Sequence, residues 1–217
     1  MIRKFNEVEG RYIERVEGQE RFAYSLSDTE DFYDMIEWQE KGGYQGAVIS
    51  FYDLESGEVF TPFPKKRNVM YGRPVFLEGK YFFLQGDFDE KKITLYSFTT
   101  PTAPVAVTQL DVEKLDLLNL KIVGEKVHII SHDEKVHGYY PEEFAFDLEP
   151  NETVELIADG KVYVEAWIEE GWDCENDCPN GDYRFYHKLI AKDFEGNVLS
   201  EEVGQLYHGS DGTWWVS

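Results

Sequence analysis

Apolar and polar positions alternate with period two along most of this chain, and the alternation is broken at short intervals by Gly or Asp-Gly. The segments VFLEGKYFFLQ around Gly79, KIVGEKVHIIS around Gly124 and ELIADGKVYVEA around Gly160 show the unit. IERVEGQERFAYS around Gly18 and LYHGSDGTWWVS around Gly212 repeat it. Alternating β-branched and aromatic residues mark strands with one buried face. Glycine takes the positive φ of a tight hairpin without steric cost. The pattern therefore predicts an all-β chain built from successive hairpins. One stretch changes period, SDTEDFYDMIEWQEKGG from Ser27 to Gly43. Phe32, Met35, Ile36 and Gln39 fall on one helical face, Ser27 with Glu30 reads as a capping box, and Gly42 is placed to end a single short helix.

A second kind of turn recurs. YDLESGEV, FDLEPNETV and KDFEGNVL each place an Asp (Asp53, Asp147, Asp193), an apolar residue and a Glu ahead of a Gly or Asn turn. Thr99–Val107 is a divergent copy, and the four lie about 46, 48 and 46 residues apart, a spacing that marks blade-like repeats. Asp suits such turns because its carboxylate bonds its own backbone two residues on. The Gly-centred (inner) and Asp-centred (outer) hairpins alternate along the chain: 18 and 53, 79 and 99, 124 and 147, 160 and 193, then 212 alone. Each inner–outer pair predicts a four-stranded antiparallel sheet. The last has only its inner half, and the stretch Ile2–Val8 is expected to complete it.

At this level the chain resembles a β-propeller of five antiparallel blades, the last closed by the N-terminal strand, with four blades as the alternative. The resemblance spans residues 1–217 as a single domain. It is one of architecture: neither a WD dipeptide signature nor kelch-type paired glycines occur. Two insertions interrupt the repeat, the helical one at Ser27–Gly43 and a polar one, GWDCENDCPNGD, at Gly171–Asp182. Both join the second and third strands of their units, so the resemblance implies that they share one rim of a ring.

Composition narrows the function classes. No apolar run is long enough to span a bilayer, and the N-terminal MIRKFNEVEGRY lacks the apolar core of a signal peptide. With only 2 cysteines among 217 residues, a cytoplasmic protein is expected. The net charge is −22, from 43 acids against 21 bases. Nucleic acid and anionic membrane are thereby disfavoured as partners, since both are held by Lys and Arg. The acid is concentrated: Tyr139 to Asp182 carries 14 acidic residues and a single base, Lys161.

The polar insertion holds the densest chemistry. Asp173, Glu175 and Asp177 put oxygen donors at alternate positions, as a hard cation such as Ca²⁺ requires. The loop departs from an EF-hand, with Cys178 where the turn glycine belongs and Arg184 where the bidentate Glu belongs. Cys174 and Cys178 lie at neither redox-motif nor zinc-ribbon spacing and read as free thiols. Paired carboxylates such as Asp87 with Asp89, or Asp53 with Glu55, would suit a glycosidase, although their turn positions favour a structural role. No nucleophile motif or phosphate loop is present. The reading is a non-catalytic cytosolic interaction module with an acidic surface, its contacts expected at Phe32, Met35, Trp38, Trp172 and Asp182. The alternatives are a sugar-directed hydrolase using carboxylates and an acidic antagonist of a basic partner protein, such as a toxin immunity protein.

Overall fold

The computed structural model describes residues 2–28, 31–99 and 103–217. Glu30 of the expected capping box and residues 100–102 of the divergent turn lie outside that range. The chain is all-β with several antiparallel sheets and, among the described residues, one α-helix. The first sheet runs β1 (Glu14–Arg15), β2 (Phe22–Leu26), β3 (Ile49–Asp53), β4 (Val59–Phe60). The second holds β5 (Val69–Tyr71), β6 (Val75–Leu77), β7 (Lys80–Asp87), β8 (Lys92–Phe98) and β9 (Val105–Asp111); β5 and β6 both pair with β7, so they act as one interrupted strand. The third holds β10 (Lys121–Val123), β11 (His128–His132), β12 (Lys135–Tyr140) and β13 (Phe144–Asp147). The fourth holds β14 (Glu152–Ala158), β15 (Lys161–Asp173), β16 (Cys178–Lys192) and β17 (Val198–Val203), and the fifth only β18 (Leu206–His208) and β19 (Trp214–Val216). Strands follow chain order within each sheet, and among the described residues no strand pairs one sheet with the next.

The Gly-centred hairpins fall where the alternation places them, with Gly18 and Gly160 at φ of 75° and 70°. The Asp-centred turns are correct at two of three sites. Asp53 accepts the backbone N–H of Glu55, and Asp193 accepts those of Glu195 and Asn197. Asp147 is different. The outer hairpin of the third sheet turns at 141–143, and Asp147 ends β13 opposite Lys135, so FDLEPNETV is the connector to the fourth sheet. The N-terminal stretch also departs from expectation. Asn6 donates to the Gly57 carbonyl and accepts the Val59 N–H, and Phe5 packs edge-on against Tyr52 at 5.0 Å. Phe5 and Asn6 therefore lie against the first sheet, and among the described residues the fifth sheet stays two-stranded.

The core lies between successive sheets. Phe51 from β3 meets Phe83 and Phe98 from the second sheet, and the same cluster continues to Ile122 and Ile129 of the third. A second cluster joins the third and fourth sheets through Ile130, Val136, Val154 and Val164. The fifth sheet touches both neighbours. Its Leu206 N–H donates to Glu165 of β15, while Ser210 donates to Glu20 and His208 approaches Glu17, both beside the first hairpin.

The helical insertion serves this packing. Helix α1 spans Asp34–Glu40, later than expected, and Ser27 accepts the Val48 N–H instead of capping it. Gly42 follows with φ 93° and the Gly43 N–H closes on the Trp38 carbonyl, so the helix ends where glycine predicts. Phe32 and Met35 are 4% and 0% exposed. A side chain at Gly86 would meet the Phe32 ring at 2.9 Å, so this glycine is the space into which Phe32 fits. Phe32 and Met35 are thus core residues that clamp the insertion onto the second sheet, which removes them from a contact surface. Trp38 is half-buried beside Tyr44.

Candidate functional site

The second insertion is not a loop. β15 and β16 run on as paired strands to the register Asp173↔Cys178, with one irregularity between Glu170 and Trp172, where Gly171 takes φ 77°. β14 accompanies β15 only as far as Ala166, and β17 accompanies β16 only from Lys188 onward. Residues 168–186 therefore form a two-stranded ribbon with both edges unpaired, packed on the core only near its base through Ile168.

The faces differ. Trp167 pairs with His187 and Glu169 with Phe185, which places Trp167, Phe185 and His187 on one side. Trp167 stacks on Phe185 at 4.9 Å and meets the His187 ring edge-on at 5.2 Å. Tyr183 continues the row, 6.4 Å from Phe185 and 5.8 Å from Trp172. The result is an aromatic strip in which Trp167 and Phe185 remain 43% and 58% exposed, although both are large apolar groups. Glu169 lies within it and accepts the Tyr183 hydroxyl at 2.6 Å, a bond that also raises the phenol's pKa. The opposite face is ionic: Arg184 binds Glu170, Tyr186 donates to the same carboxylate, and together they hold Glu170 below the usual carboxylate range.

The ribbon tip carries the acids that read as a cation loop. Asp173 accepts the side-chain amide of Asn176 and the backbone N–H groups of Glu175 and Asn176, which lowers its pKa and commits both oxygens to the turn. Among the described residues, no three His, Cys, Asp or Glu side chains converge as a metal's ligands would. Cys174 and Cys178 are exposed and unbonded to each other. Trp172 and Asp182 are both exposed on the ribbon.

At the strip's base the sheets meet through charged groups. Lys121 on β10 donates to the Val154 carbonyl at 2.7 Å, and burial lowers its pKa. Glu155 on β14 is raised, chiefly by burial, with Lys121 opposing. Glu165 lies 3.5 Å from the His187 Nδ1 while it receives Leu206, so it fastens the fifth sheet to the fourth. A polar cleft of about 400 Å³ opens nearby, bordered by Asn119, His132, Asp133, Glu134 and Glu152. Burial, then Lys121, depress His132 to about 4, so it is neutral at pH 7. Glu152 in that cleft is ion-paired with Lys192 at 2.6 Å. The carboxylates suited to glycosidase chemistry are likewise engaged: Asp53 with Arg21, Asp87 with Lys66, and Asp89 with Asn68.

Comparison with known proteins finds no matching family model, curated protein or solved structure. The sequence singled out Trp172 and Asp182 but passed over Tyr183 and Phe185. Their period-two spacing, Tyr183-x-Phe185-x-His187 opposite Trp167-x-Glu169, is the signal that would have found them.

Proposed function

We propose that this protein is a non-catalytic, cytoplasmic interaction module whose ribbon, residues 168–186, captures a basic partner protein. The observation that carries the reading is the aromatic strip, left exposed on a two-stranded ribbon and set among carboxylates. A contiguous exposed apolar surface on a monomer marks an interaction site. Aromatic faces beside carboxylates suit Lys and Arg, which gain cation–π attraction as well as charge pairing. The net charge of −22 adds long-range steering toward such a partner. An acidic antagonist of a basic protein is a special case of this reading. The hydrolase alternative is weaker, because its candidate acids are spent on turns and ion pairs.

The propeller-like ring belongs to the same proposal. It is supported by the order of packing, first sheet to second, second to third, third to fourth, with the fifth touching the fourth and the first. In such a ring the helical insertion and the ribbon both leave between second and third strands, and so share a rim. No helix of the described chain is long and apolar enough to cross a membrane. The exposed free thiols support a reducing compartment.

The test is titration of fluorescent Lys-rich peptide at low and moderate salt. Replacing both Trp167 and Phe185 by Ala is expected to weaken binding about tenfold or more, as loss of aromatic anchors does, with the salt dependence retained. Equal affinity for the double variant would show that charge alone binds the peptide and that the strip is not the surface.

A further inference from the structure

The fifth sheet, fastened through β18 to the fourth beside the base of this strip, has an open edge on β19. The Gln205 and Ser217 backbones bond each other in both directions, and the Gly209 N–H donates to Thr213. Bonded and non-bonded pairs alternate in an antiparallel ladder, so Trp215 directs its N–H and C=O inward to Tyr207. Trp214 and Val216 direct theirs outward. Among the described residues no strand receives them, although each of the other four sheets has at least four strands. Sheet edges are blunted by Lys, by Pro, by bulges or by shortness, and this three-residue edge is protected by shortness alone. Here Leu206–His208 and Trp214–Val216 contain neither Lys nor Pro, and Tyr207, Trp215 and Val216 are 62%, 60% and 50% exposed. Leu206, on the other strand of this sheet, is bonded to Glu165, two residues from Trp167, so the sheet that carries the open edge is anchored beside the aromatic strip, with β18 between the strip and that edge.

We infer that β19 takes up an extended segment of the basic partner as an added third strand. This inference rests on the basic-partner reading above and specifies its mode. Strand addition supplies backbone hydrogen bonds to Trp214 and Val216, and alternate side chains of the guest lie beside Tyr207 and Trp215. Charge selects the occupant: a second copy would bring another −22, whereas a segment alternating basic and apolar residues brings the opposite sign.

The probe is an alternating Lys-Val octapeptide, compared with two N-methylated forms, one methylated on the amides of each edge. The unmodified peptide is expected to bind, one methylated form to bind as well, and the other to lose at least tenfold. Val216→Pro, which removes an outward N–H but no bond to β18, is expected to lose a similar factor. If both methylated forms bind like the parent and Val216→Pro has no effect, strand addition is overturned while charge capture stands. If no form binds the unaltered protein, the basic-partner reading itself fails. If the free protein dimerises and Val216→Pro abolishes the dimer, the occupant is a second copy and the inference is wrong.

Discussion

Lys192→Met is expected to destabilise the protein by about 3–5 kcal/mol, the typical result of leaving one member of a buried ion pair alone. Lys192 and Glu152 have side chains only 7% and 5% exposed, with nitrogen and oxygen 2.6 Å apart. The ammonium also lies 5.7 Å from the Phe146 ring centre. Methionine keeps the length and apolar stem but removes the charge, so the Glu152 carboxylate stays buried without its cation. For a chain of this size the loss corresponds to a fall in melting temperature on the order of 10 °C. Pairing it with Glu152→Leu should recover most of the loss, because apolar replacement of a whole buried pair is often neutral or better. Thermal unfolding of the three proteins decides it. A loss under about 1 kcal/mol in the single variant would mean that water reaches the pair.

Phe83→Ala should cost a similar amount, about 3–5 kcal/mol, through the cavity it leaves. Phe83 is fully buried and touches five other rings: Phe51, Phe63, Tyr71, Tyr96 and Phe98, at centroid distances of 5.6–6.4 Å. These rings come from the first sheet, the connector after it and the second sheet. The void therefore opens where the two sheets join, and rigid rings on several sides limit collapse. Phe83→Leu refills most of the volume and should recover more than half of the loss. Urea unfolding with an unchanged slope and a lowered midpoint is the expected signature. A changed slope would show that the sheets had separated and unfolded independently.

What the sequence made legible was local. Gly18, Gly79, Gly124, Gly160 and Gly212 punctuate alternating runs, and hairpins formed at each because turn chemistry and period-two burial act within a few residues. Asp53 and Asp193 were legible as turn formers for the same reason. The failures were of two kinds. Non-local contacts left no local mark: nothing around Phe32 says that Gly86 opposite lacks a side chain, and nothing in Ile2–Val8 says that Asn6 bonds the Gly57–Val59 turn. The ribbon failed differently. Its distal part, GWDCENDCPNGD, is polar because neither face is buried and so gives no alternation to detect, whereas Tyr183, Phe185 and His187 beyond it keep theirs. Asp147 shows the limit of repeat reasoning, since a segment can keep the turn's sequence and serve as a connector between sheets.

The most direct measurement of the central claim is amide hydrogen exchange across the whole chain, with and without saturating Lys-Val peptide. The account predicts added protection confined to residues 167–187 and 214–216, with the cleft around His132 unchanged. Protection at that cleft, or an even slight slowing over the whole acidic surface, would contradict it.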